Sequence, residues 1–143
     1  MGEVLQVKLV TEIAIHSSFS EGPRLRKLLA KKVAHLDIPP DVLFDLQLAV
    51  SEAFNNAIEH GLSLVSANQI IIRLYHSSSF LSIEIEDSGC GIHTRHLRQI
   101  RPTVFGEQER GMGLSLMKIL MDEVQINTRS SGGTLVTFIK HLN

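Results

Sequence analysis

Apolar and polar residues alternate from Val4 to Ile15, with Val7, Leu9, Ile13 and Ile15 in one phase. That period of two predicts a half-buried strand. Ser20-Glu21-Gly22-Pro23 has the composition of a helix start, with proline in the first turn. Leu25, Leu28, Leu29, Val33 and Leu36 follow at helical spacing, and Pro39-Pro40 reads as the stop. A second helix is predicted from Asp41 to Ile58, with Leu43, Leu46, Val50, Ala53, Phe54 and Ala57 as its apolar face and Gly61 as its cap. Two strands, Gln69–Tyr75 and Phe80–Glu86, flank the polar turn His76-Ser77-Ser78-Ser79. From Asp87 to Gly111 the chain is rich in glycine, histidine, arginine and polar residues. A connection of that length in a compact domain is commonly a functional lid. A third helix is predicted over Gly113 to Asp122, with Leu114, Met117, Ile119, Leu120 and Met121 mostly inward. A last hairpin, Val124–Arg129 and Thr134–His141, turns at Ser130-Ser131-Gly132-Gly133. The order β-α-α-β-β-lid-α-β-β predicts an α+β fold, one domain over residues 1–143, with helices on one face of a mostly antiparallel sheet.

Candidate chemistry begins on the second helix. Glu52, Asn55, Asn56 and Glu59 stand at i, i+3, i+4 and i+7 and share one stripe. Asparagine is a poor helix former, so two in succession are not there for propensity. An asparagine oxygen is a hard neutral ligand suited to Mg²⁺, and a glutamate one turn away can accept a proton from a hydroxyl or water. On this segment alone, a solvated helix face explains the stripe more readily.

Asp87-Ser88-Gly89-Cys90-Gly91 follows the second strand of the pair. Glycines one residue apart let a ligand approach the backbone closely, and an Asp carboxylate can accept from an exocyclic amine such as that of adenine. A plain turn accounts for this segment equally well. Glu109-Arg110-Gly111-Met112-Gly113-Leu114 places two glycines where a helix begins, and a helix N-terminus with open amides can hold an anion such as a phosphate. A flexible hinge is the competing reading. No Walker sequence is present, and the first glycine segment lacks the third glycine and crossover of a dinucleotide-binding unit. Gly133-Thr134 opens the last strand, where a hairpin wants glycine in any case.

The combination is more specific than its parts. A helix with E-x-x-x-N, a strand followed by D-x-G-x-G, a G-x-G before a helix and a final G-T resemble, in that order, the GHKL ATPase and kinase superfamily. The resemblance covers nearly the whole chain and implies a two-layer α/β sandwich of the Bergerat type, with ATP between helices and sheet under a lid. It implies that Asn56 coordinates Mg²⁺, that Glu52 is the catalytic base, and that Asp87, with Gly89 and Gly91, reads the adenine. It further implies Gly111 and Gly113 near the phosphates, with Met112 and Leu114 in the same motif, and Thr134 near the adenine. Arg110 is the preferred γ-phosphate contact; Arg95, Arg98 and Arg101 suit a merely charged lid better. Val50-Ser51-Glu52-Ala53, Asn56-Ala57-Ile58, His60-Gly61, Gly111-Met112-Gly113-Leu114, Met117 and Leu120-Met121-Asp122-Glu123-Val124 are similar to the RsbW and SpoIIAB anti-sigma serine kinases. That branch implies a homodimer that sequesters a sigma factor and phosphorylates a serine or threonine on a small antagonist of the STAS type. Arg26 is similar in position to an arginine such proteins use against sigma. The basic run Arg24, Arg26, Lys27, Lys31, Lys32 suits an acidic partner, although such runs are usually solvated helix faces.

Composition narrows the alternatives. Net charge is −1, from 14 basic and 15 acidic residues, so no nucleic-acid partner is indicated. No apolar run is long enough to cross a bilayer. The acidic, alternating N-terminus is unlike a signal peptide, and Cys90, the one cysteine, cannot form an internal disulfide, which together suggest a cytoplasmic protein. Cys90, His93 and His96 have a spacing that could hold zinc, yet Cys90 sits between the two glycines of the proposed adenine segment, which weighs against it. Two other readings remain: an ATP-binding partner-switching module without turnover, and a switch kinase of this fold that binds no sigma factor. Glu52 separates the first from an enzyme, because only chemistry needs a base.

Overall fold

The structure, a computed structural model, describes residues 6–60, 69–87, 116–128 and 133–142. Among these lie β1 (Lys8–His16), α1 (Gly22–Lys32), α2 (Pro40–His60), β2 (Gln69–His76), β3 (Phe80–Asp87), β4 (Glu123–Thr128) and β5 (Thr134–His141). A short 3-10 turn, Phe19–Glu21, precedes α1, and residues 116–120 are helical. The strands form one sheet in the order β1-β2-β3-β5-β4. Every pairing is antiparallel. Both helices pack on one side of the sheet, so the predicted two-layer α+β architecture is the observed one.

Period-two alternation makes the inward face of the sheet. Ile13 and Ile15, Ile70, Ile72 and Leu74, Leu81, Ile83 and Ile85, and Phe138 are all buried. Against them the helices bring Leu25, Leu29 and Val33 from α1 and Leu46, Ala49, Val50, Ala53 and Phe54 from α2. Each of these side chains other than the two alanines, fully removed from water, contributes about 1.5–3 kcal/mol. Met117 and Met121, one turn apart, close the core beside β4.

Three expectations need correction. Val7 and Leu9 do not join Ile13 and Ile15 inside: they are 48% and 54% exposed. The register shifts between Leu9 and Thr11, so Leu9 lies opposite Tyr75 while Thr11 lies opposite Leu74. That bulge inverts the phase of the strand, and Val10 packs on the core instead. Pro39-Pro40 does not end the first helix, which stops at Lys32; Pro40 is the first residue of α2. There its missing N–H costs nothing, because the first-turn donors of a helix are unmatched anyway. Ile119 points outward, 77% exposed, because it lies on the opposite side of its helical turn from Met117 and Met121.

The outward face of the sheet carries charge. Glu12, Arg73 and Glu84 lie directly across from one another on β1, β2 and β3. Arg73 donates to Glu12 and to Glu86, each at 2.8 Å, and stands 3.5 Å from Glu84. Those two hydrogen bonds, Glu86's the stronger, raise the guanidinium pKa further. Tyr75 donates its hydroxyl proton to Glu84 at 3.2 Å. Desolvation, and then the charge of Glu84, push the phenol pKa up.

Candidate functional site

Register brings two predicted residues together on the sheet. Ile15 lies opposite Ile70, Ile70 opposite Asp87, and Thr128 opposite Thr134. Extending the Glu86–Leu135 pairing by one step places Asp87 directly across from Thr134. Residues opposite each other share a face, so both side chains belong to the inward, helix-covered side. Asp87 is the last residue of β3 and only 5% exposed. The Thr134 hydroxyl is buried with no hydrogen-bond partner among the described residues. Gly133, just before it, has φ 87°, the left-handed conformation that favours glycine. An inward row that continues Ile15 and Ile70 with a carboxyl and an unmatched hydroxyl gives up apolar contact for polarity, which suits the amine edge of an adenine.

The other pair stands on the helix layer. Glu52 and Asn56 are one turn apart on α2 and both half-buried, as is Asn55; Glu59 is exposed. Asp45, Glu52 and Asn56, at i, i+7 and i+11, form one flank of the helix. The orientation of that flank is fixed by contact: the Asp45 carboxylate lies 3.6 Å from Nζ of Lys140 on β5. On the opposite flank, the Gln47 side-chain amide donates to the backbone oxygen of Arg26 on α1 at 3.0 Å. Glu52 and Asn56 therefore stand on the β5 side of α2, about 10 and 16 Å along the helix from Asp45. Their strand neighbour β5 begins with Thr134. A carboxylate and a carboxamide on the helix layer, and a carboxyl and a hydroxyl on the sheet layer, can serve two ends of one elongated ligand.

Lys140 was missed by sequence reasoning. It shares the inward phase of Phe138, where an apolar residue is expected, and that break of parity is the signal that could have found it. Its ammonium donates to the Leu120 backbone oxygen at 2.8 Å. Arg26 is exposed on α1, with its guanidinium folded back toward Gly22. Arg24, Lys27, Lys31 and Lys32 are exposed with it, and Arg24 pairs with Glu21 at 3.0 Å. Gly89, Gly91, Arg110, Gly111, Met112, Gly113 and Leu114 lie outside the described residues, as do Gly61, Cys90, His93, His96, Arg95, Arg98 and Arg101. No described helix is long and apolar enough to cross a membrane.

An antiparallel five-stranded sheet under two helices is a two-layer α/β sandwich. Residues 20–140 match the histidine kinase-like ATPase domain. The chain belongs to that family. It is 38% identical over 119 residues to the anti-sigma F factor of Anoxybacillus flavithermus, covering 82% of each chain. It is 34% identical over 120 residues to the anti-sigma F factor of Bacillus subtilis, again over 82% of each. Its fold is similar to a crystal structure of the RsbU and RsbW domains of a Mycobacterium tuberculosis protein, with a TM-score of 0.68 at 21% identity, covering 92% of this chain and 32% of that one.

Proposed function

We propose that this chain is a Mg-ATP-dependent protein-serine/threonine kinase that also sequesters a sigma factor. The observation that carries the kinase half is the placement of Glu52 and Asn56 one turn apart on the flank of α2 that faces β5. The sigma half is supported by the anti-sigma F relatives, which align over most of their own length. Bound Mg²⁺ would neutralise phosphate charge during transfer. In this chain Asn56 would supply a neutral oxygen ligand to it, and Asp87 and Thr134 would hold the adenine. Glu52 accepts the proton of a serine or threonine hydroxyl on the antagonist as that oxygen attacks the γ-phosphorus and the β–γ bridging bond breaks. The exposed basic face of α1, with Arg26 at its centre, suits an acidic surface on sigma.

The decisive test is Glu52→Gln, assayed with radiolabelled Mg-ATP and STAS-type antagonist proteins. The carboxamide keeps the size and reach of the side chain but not its basicity. Phosphorylation should fall by about 10²–10⁴-fold while Mg-ATP binding and sigma capture persist. A rate within a factor of two of the parent protein would remove Glu52 from the chemistry and leave a binding module. The proposed homodimer gains support from β1, an edge strand with Val7 and Leu9 exposed on its first half. Light scattering should give twice the chain mass, and Leu9→Lys should lower it.

A further inference from the structure

The inward face of β5 changes character at Lys140, which lies opposite Leu81, a fully buried core residue. The neighbouring inward positions are apolar, and the Lys140 side chain, 19% exposed, carries its charge past them to the edge of the core. Its ammonium is anchored twice, to the Leu120 backbone oxygen at 2.8 Å and to the Asp45 carboxylate at 3.6 Å. The end of the helical turn at residues 116–120 is itself held against β5. The Asp122 amide donates to the Ile139 oxygen at 2.9 Å, and the His141 amide donates to the Asp122 carboxylate at 2.6 Å. Lys140 thus ties α2 to a stiff corner of the sheet. Two residues after Asp45, Gln47 ties the opposite flank of α2 to α1.

Tethers on opposite flanks add to the buried apolar stripe of α2 in resisting rotation of the helix about its own axis. A side chain projects about 5–6 Å from the axis. A twist of about 20° would therefore move the functional atoms of Glu52 and Asn56 by about 2 Å, and displacements of about 1 Å already impair positioned chemistry. We propose that Lys140 is a positioning residue: through Asp45 it sets the rotation of α2 and so aims Glu52 and Asn56 at the site. Asp87 and Thr134 stand on the sheet, and Lys140 does not orient them. This inference rests on the roles proposed for Glu52 and Asn56.

The test compares the parent protein with Lys140→Met, Lys140→Arg and Asp45→Asn, titrating a non-hydrolysable ATP analogue with and without Mg²⁺ by calorimetry. Lys140→Met should lose about tenfold of the Mg-dependent gain in affinity, while metal-free affinity stays within a factor of two. Asp45→Asn should reproduce that loss, the double variant should add little to it, and Lys140→Arg should restore most of it. Unchanged Mg-dependent affinity in Lys140→Met would overturn the proposal. So would a parallel fall of metal-free affinity and melting temperature not rescued by arginine, since a merely structural role predicts that pattern. If the parent protein shows no Mg-dependent gain, the metal role of Asn56 fails, and heteronuclear NMR then decides the inference alone. A shifted Asn56 side-chain amide with unchanged core-strand amides supports it, and an unmoved amide ends it.

Discussion

The two ends of the sheet's inward face both abandon apolar side chains, and they do so in different ways. At one end Lys140 is matched within the protein, by Leu120 and Asp45. At the other end Asp87 and Thr134 stand side by side, and the Thr134 hydroxyl is buried without a partner among the described residues. A buried polar group satisfied internally is part of the scaffold; one left unmatched costs stability unless a further partner completes it. The contrast separates an end that holds α2 from the end that the proposed function assigns to the ligand.

Replacing Asp87 by Asn should have the largest effect on this contrast. It should weaken ATP binding by about 1.5–3 kcal/mol, the size of a lost hydrogen bond to a charged group, and erase a preference for ATP over GTP. Calorimetry with both nucleotides reads this directly, and an unchanged ATP-to-GTP ratio would break the ligand-end assignment. Thr134→Val should cost less, about 0.5–1.5 kcal/mol of nucleotide affinity, while thermal stability holds or rises because an unmatched hydroxyl becomes a methyl. A clear loss of melting temperature would place that hydroxyl in the scaffold instead. The smallest effect belongs to the outward face. Tyr75 is the one tyrosine and there is no tryptophan, so ultraviolet absorbance follows its ionisation alone. Its midpoint should lie above the ordinary value of about 10, and Glu84→Gln should lower it only in part, because desolvation is the larger cause. Since the folded state holds the phenol proton more tightly, that contribution to stability is complete below pH about 10 and disappears as pH rises through the folded pKa.

Much of the fold was legible because burial on one face writes itself as alternation. Burial alternates from Gln69 to Tyr75 and from Phe80 to Asp87, and the sequence reading placed both strands within a residue at their ends. β1 was misread because a bulge has no compositional mark of its own: Val7, Leu9, Ile13 and Ile15 share one parity in sequence but not in space. Pro39-Pro40 misled because proline opens helices as readily as it follows them, and Leu36 continued the helical spacing past the true end at Lys32. In the candidate site, the Glu52–Asn56 relation followed from helical geometry alone. The side of α2 on which they stand did not, since it depends on Lys140, 95 residues away from Asp45 in the chain. Nor could spacing reveal that Asp87 and Thr134 are neighbours, because that depends on β5 rather than β4 pairing with β3.

That last pairing also bears on how freely such a protein can change over evolutionary time. β3 and β5 are adjacent in the sheet, yet the chain between them contains residues 88–122 and the whole of β4. A change of length in residues 88–115 leaves the strand pairings of β3 and β5 in place, whereas residues 116–122 are tied to the core by Met117 and Met121 and to β5 by Asp122. Doubling a flexible loop costs about 0.6 kcal/mol in closure entropy, small beside the contribution of a single buried isoleucine. Lineages can therefore vary the length of the connection between β3 and residues 116–122 while inheriting the sheet unaltered.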